Sequence, residues 1–133
     1  MTQSRKVRVL LDTCVLIHVL NGRKLELQRL AQLAVTGAEL FTCAVNVAEL
    51  HAGMRSGEEI RTERLLSSME CLPISASTAQ RAGDLVRSRR KLGRTHTLDD
   101  MMIAAAAIGR GCMVWTENRR DFDVPGVKLL PEG

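Results

Sequence analysis

Asp12, Glu49, Asp99, Asp100, Glu117, Asp121 and Asp123 stand at places where the character of the chain changes. Asp12 directly follows the apolar run Val7–Leu11. Glu49 lies on a helical stretch after the apolar segment Glu39–Cys43. Asp99 and Asp100 open the helical stretch before Met113–Trp115, and the remaining three acids follow that last segment. Two carboxylates ~4 Å apart repel by about 4 kcal/mol at an effective dielectric constant of ~20. Three or four in one cleft therefore require protons or a cation. Oxygen donors without Cys or adjacent His suit Mg²⁺ or Mn²⁺ better than zinc. Such an ion lowers the pKa of a bound water and stabilises charge developing on a phosphodiester. On the residues alone, the chemistry indicated is metal-assisted phosphodiester hydrolysis.

Each acid also has a plainer explanation. Asp12 also suits a turn after a strand, Glu49 an exposed helix position and Asp121 a surface loop. Thr97-Leu98-Asp99-Asp100 matches a capping box, in which both acids favour a helix N-terminus. Capping leaves a carboxylate oxygen free, so it is compatible with catalysis. Other chemistries find less support. His18, His51 and His96 have no close paired spacing, Gly109-Arg110-Gly111 ends a helix rather than opening one, and Ser67, Ser68, Ser75 and Ser77 form no nucleophile elbow. A magnesium phosphatase using Asp12 as nucleophile requires a second Asp two positions on, where Cys14 stands.

The elements that position these acids follow from periodicity and punctuation. Strands are expected at Val7–Leu11, Glu39–Cys43, Glu70–Ile74, Met113–Trp115 and Val127–Leu130, with Pro73 placing the third at an edge or an end. Helices are expected at Thr13–Leu20, Leu25–Val35, Val45–Met54, Glu58–Met69, Ser75–Leu92 and Leu98–Ile108, with Gly22, Gly37, Gly93 and Gly111 as stops. Strands alternating with helices imply an α/β fold with a mostly parallel central β-sheet flanked by α-helices. In such sheets functional groups gather beyond the carboxyl ends of the strands. Asp12 and the acids after Trp115 then share one edge, and two helices can bring Glu49 and Asp100 to it.

Composition sets the outer bounds. A chain of 133 residues with 45% hydrophobic and 26% charged residues favours one domain spanning 1–133. It has no Tyr, one Trp and two Phe, which leaves no aromatic platforms for stacking bases. The formal net charge of +4 suggests a polyanionic partner. Arg87, Arg89, Arg90, Lys91 and Arg94 concentrate the positive charge, although such a run is ordinarily a solvated helix face. Cys14, Cys43, Cys71 and Cys112 are spaced for neither zinc nor a disulfide framework, and suit a reducing cytosol. The apolar stretch 7–20 is broken by Asp12 and His18 and falls short of the ~20 residues a span needs. A cytoplasmic protein with no membrane association is expected.

Four segments, taken in order, resemble the PIN domain and within it the VapC toxins. Val9-Leu10-Leu11-Asp12-Thr13 looks like the family's opening strand. Asn46-Val47-Ala48-Glu49-Leu50 with Gly53 resembles the helix carrying its second acid. Leu98-Asp99-Asp100-Met101-Met102-Ile103-Ala104-Ala105 resembles its third-acid motif, and Val114-Trp115-Thr116-Glu117-Asn118-Arg119-Arg120-Asp121-Phe122 its final strand and turn. The resemblance implies endonucleolytic cleavage of RNA (tRNA, rRNA or mRNA) with Mg²⁺ or Mn²⁺. Asp12, Glu49 and Asp100 take the catalytic and metal-binding roles. Asn118 stands where many relatives have Asp, so Asp121 becomes the candidate for the missing charge. Thr13, Thr116 and Asp99 are expected to support these ligands. A homodimer is also implied, with Arg87, Arg89, Arg90 and Arg94 lining an RNA groove. So is a VapB-type antitoxin, which should place an Arg or Lys against Asp12, Glu49 or Asp100. The apolar faces of Thr13–Leu20 and Val45–Met54 are expected to seat the rest of its helix. The resemblance leaves two other readings open, a PIN nuclease of RNA processing and a non-catalytic RNA- or protein-binding module.

Overall fold

A computed structural model describes residues 6–133. Its centre is β1 (Arg8–Leu11), in which Val9, Leu10 and Leu11 are fully buried. A strand apolar at consecutive positions has both faces covered, as a parallel sheet requires. Around it lie β2 (Glu39–Cys43), β3 (Glu70–Leu72), β4 (Met113–Trp115) and β5 (Lys128–Leu129) in the order β3-β2-β1-β4-β5. Every pairing is parallel, with Leu10 opposite Phe41 and Leu11 opposite Trp115. β3 lies at an edge and stops at Leu72 rather than Ile74, because Pro73 has no N–H to continue the ladder.

Six helices cover the two faces: α1 (Thr13–Leu20), α2 (Lys24–Val35), α3 (Ala44–Ala52), α4 (Glu59–Ser67), α5 (Ala76–Lys91) and α6 (Leu98–Arg110). Successive side chains of a strand point to opposite faces. Leu10 accordingly packs with Ala82 of α5 and Met101, Ile103 and Ala104–Ala107 of α6. Val9 and Leu11 pack with Val15 and Leu16 of α1 and Leu50 of α3, with Leu30 and Leu33 of α2 and Leu65 and Leu66 of α4 against them. The small side chains of Ala104–Ala107 let α6 lie close against its neighbours. The helix ends at Gly111, whose φ of 70° is the left-handed conformation that favours glycine.

Most helix ends differ from the expected bounds by a residue or two, where capping rather than hydrophobic pattern decides. One short 3₁₀ turn, Arg119–Phe122, lacked a periodic signal; Phe122 pins it by inserting into the core. The layout brings the carboxyl ends of β1, β2 and β4 together with the first turn of α6. The acids expected to act are all at this end.

Candidate active site

Asp12 is held from several directions. Its backbone N–H donates to the Trp115 carbonyl at 2.9 Å, which ties the end of β1 to the end of β4. Its side chain caps α1: Oδ1 accepts from the Thr13 N–H at 2.8 Å. Oδ2 accepts from the Thr116 hydroxyl at 2.8 Å and from the Cys14 thiol at 3.3 Å. Only 5% of Asp12 is exposed, and a carboxylate that buried requires such donors. Burial, then the Asp12 charge, push the Cys14 thiol up to about 11, so it remains protonated and can donate. The Cys14 thiol thus serves as a hydrogen-bond donor to Asp12 where a phosphatase of that kind carries a second Asp.

Glu49 is placed through a relay. The Thr13 hydroxyl donates to Glu49 Oε1 at 2.6 Å and accepts from Asn46 Nδ2 at 2.9 Å. Asn46 is completely buried, and its Oδ1 accepts from the Cys43 N–H at 2.9 Å and the Thr42 hydroxyl at 3.3 Å. A single amide thus caps α3 and fixes Thr13. Sequence reasoning gave Asn46 no role. The available signal was its place three residues before Glu49, a spacing that puts two side chains on one helix face.

Asp99 and Asp100 begin α6, where the Thr97 hydroxyl accepts from the Asp100 N–H at 3.3 Å. Burial pushes the Asp100 carboxyl up to about 6 against the lowering effect of Thr97, and the charges of Asp12, Asp99 and Asp121 add to the rise. Burial also raises Glu49, against the Thr13 hydroxyl, while neighbouring Asp99 raises it further. Asp99 itself is held down, first by the Thr97 hydroxyl. Asp12, Glu49, Asp99, Asp100 and Asp121 therefore share one electrostatic neighbourhood. Their oxygen-only donor set and mutual repulsion fit a hard divalent cation.

Other candidates lie apart from this cluster. Glu117 pairs with His18 Nδ1 at 2.8 Å, a partnership across 99 residues that no local spacing reveals. His18, Glu26 and Glu117 offer ligand atoms within 4.8 Å of one another, but the Arg23 guanidinium already supplies the cation. It lies 2.9 Å from His18 Nε2 and 3.4 Å from Glu26 Oε1. Asn118 is exposed, and its backbone N–H donates to the Thr116 hydroxyl at 2.9 Å. The arginine run does not form one face. Arg87 pairs with Asp84 at 3.0 Å, whereas Arg89 is buried, with Nη2 3.4 Å from the Asp123 carbonyl. Arg90 and Arg94 are exposed. Arg89 therefore does not fit the expected role in an RNA groove: helical rotation turns it into the protein.

A five-stranded parallel sheet with carboxylates clustered beyond its carboxyl edge defines an α/β domain with an acidic site at that edge. A family model for the PIN domain matches residues 9–127. Ribonuclease VapC10 of Mycobacterium tuberculosis is 36% identical over 99 residues, covering 74% of each chain. The structure of VapBC2 from Rickettsia felis bound to a DNA fragment from their promoter shares the fold, with a TM-score of 0.80. It covers 93% of this chain and 98% of that one at 22% identity. A toxin–antitoxin complex from Klebsiella pneumoniae matches with a TM-score of 0.72 and 27% identity, covering 90% of this chain and 94% of that one. The chain belongs to the PIN-domain family and, within it, to the VapC ribonucleases.

Proposed function

We propose that this chain, taken as one PIN domain over residues 1–133, is a Mg²⁺- or Mn²⁺-dependent endoribonuclease toxin. It hydrolyses phosphodiester bonds of tRNA, rRNA or mRNA in the cytoplasm, inhibits translation and is neutralised by a VapB-type antitoxin. The observation that carries this reading is the carboxylate cluster built on Asp12, Glu49 and Asp100 at the sheet's carboxyl edge.

Asp12, Glu49 and Asp100 would hold the ion, with Asp121 supplying the charge absent at Asn118. When bound, the ion supplies an activated water and positive charge for the phosphoryl oxygens. The chain's own residues do the positioning. Thr116 and the Thr13 N–H fix both oxygens of Asp12, and the Asn46–Thr13 relay fixes one oxygen of Glu49. Burial raises the Glu49 carboxyl above its ordinary value, and a cation held there would favour its ionised, ligating form.

The antitoxin reading draws support from a cavity of about 190 Å³ between α1, α3 and α4, lined in part by Ile17, Leu20, Leu50 and Met54. Glu49 lines it as well, so a helix seated there can direct an Arg or Lys at the acids. The toxin is taken to act as a homodimer. No helix among the described residues is long and apolar enough to cross a membrane.

Cleavage of an RNA panel tests the reading. The purified protein should cut RNA with Mg²⁺ or Mn²⁺, stop on chelation and spare duplex DNA. Asp12→Ala and Asp100→Ala should each lose cleavage while remaining folded. Undiminished cutting by either variant removes that residue from the mechanism.

A further inference from the structure

A cavity of about 410 Å³ lies beside the acidic cluster, lined by Arg94, Thr95, His96, Arg120, Asp121 and Asp123. It lies within the usual size range of small-ligand pockets, roughly 300–1,000 Å³. Asp121 joins it to the acidic cluster, because that residue lines the pocket and lies near enough to Asp100 for their charges to interact. Arg94 and Arg120 are both exposed, and neither forms an ion pair among the described residues. The pattern differs from that of Arg87 and Arg89, which are engaged with Asp84 and the Asp123 carbonyl.

His96 adds a separate observation. Both of its ring nitrogens are shielded from solvent and have no hydrogen-bond partner. An imidazole has one donor and one acceptor when neutral, and leaving such groups unsatisfied costs about 1–3 kcal/mol each. A ligand with hydroxyl and anionic oxygens would satisfy them. The cluster of carboxylates next door repels a polyanion, so a substrate backbone entering it requires positive charge close by. Guanidinium groups supply that charge in a planar fork matched to phosphate oxygens.

We propose that the pocket lined by Arg94, Thr95, His96, Arg120, Asp121 and Asp123 binds, through its two arginines, the phosphate–ribose backbone of the RNA nucleotide flanking the bond being cut. The proposal rests on the ribonuclease reading above. It assigns the substrate contact to the free arginines before α6 and after β4, and not to the α5 run as a whole. Arg94 and Arg120 hold a phosphate, while the Thr95 hydroxyl and the His96 ring offer hydrogen-bond partners to the sugar.

Two measurements on the full chain separate this proposal from the reading beneath it. The first is steady-state cleavage of a fluorogenic single-stranded RNA. Arg94→Ala and Arg120→Ala should each raise KM roughly tenfold or more, as loss of a charge-assisted hydrogen bond predicts, and leave kcat nearly unchanged. Arg94→Lys should recover part of the loss, and Arg64→Ala, on the exposed surface of α4, should change neither constant. The second is binding of the same RNA to the cleavage-silent Asp100→Asn protein across a salt series. The double variant Arg94→Ala/Arg120→Ala should lower the salt slope by about 0.7 for each phosphate it no longer neutralises. Cleavage by the unaltered chain, with KM and salt slope untouched by the double variant, overturns the pocket assignment alone. RNA binding that depends on Arg94 and Arg120 in a chain that never cleaves RNA overturns the nuclease reading and supports the pocket. Absence of both binding and cleavage overturns both.

Discussion

At Asp100 the folded chain raises a carboxyl to about 6, because burial outweighs the Thr97 hydroxyl and the charges of Asp12, Asp99 and Asp121 oppose ionisation. The unfolded value is near 3.9, so the folded state binds more protons between the two. This stability contribution is fully present below about pH 4 and is lost as pH rises through about 6. Asp100→Asn should therefore melt above the unaltered protein at about pH 7.5 without divalent ions, the gap closing toward about pH 4. Saturating Mg²⁺ should raise the melting temperature of the unaltered protein more at about pH 7.5 than at about pH 5, where protons compete for the carboxyl. Thermal melts across pH decide the matter; a variant that melts lower at neutral pH contradicts the repulsion argument. Asp12 and Asp100 were legible because each stands where a strand ends or a helix begins, and Glu49 because its helix directly follows a strand. Asn46 and His18 were not, because their roles come from Thr13 and Glu117, 33 and 99 residues away.

The helix α5 shows what a run of like charges becomes once it is wound. In sequence, Arg87, Arg89 and Arg90 look alike. At about 100° of rotation per residue they point in different directions, and Arg89 turns inward under the loop that follows the 3₁₀ turn. Arg89→Glu would bury a carboxylate near the Asp123 carbonyl oxygen. It should destabilise the protein by about 3 kcal/mol or more. Arg90→Glu, at an exposed position, should change stability by less than about 0.5 kcal/mol. Urea unfolding of the two variants measures the contrast directly. Equal stabilities would place Arg89 in solvent with Arg90.

For the whole molecule, the toxin reading makes the cell the assay. Expression of the chain alone should arrest growth, and co-expression of its antitoxin should restore it. The groove containing Ile17 offers a way to uncouple these outcomes, since Ile17 is 42% exposed on α1 and lines the cavity shared with Leu50 and Met54. Ile17→Glu should still arrest growth but resist rescue, because a charge in the groove opposes an apolar helix face. Rescue equal to that of the unaltered toxin would move the antitoxin elsewhere. Harmless expression of protein shown to be folded and metal-bound would overturn the toxin role and return the chain to RNA processing.

The sequence alone determined the alternation of strands and helices, the parallel sheet and the list of acids at element ends. Those features are local: apolar period, glycine and proline stops, and a capping threonine are each written within a few residues. Only the tertiary structure decided which acids meet, which arginines remain free and which polar groups support the site. Asp12 meets Thr116 across 104 residues, and Arg23 bridges His18 and Glu26. Arg94 and Arg120 come together at one pocket with Asp121. These relations depend on how the elements pack in space, and spacing along the chain carries no record of them.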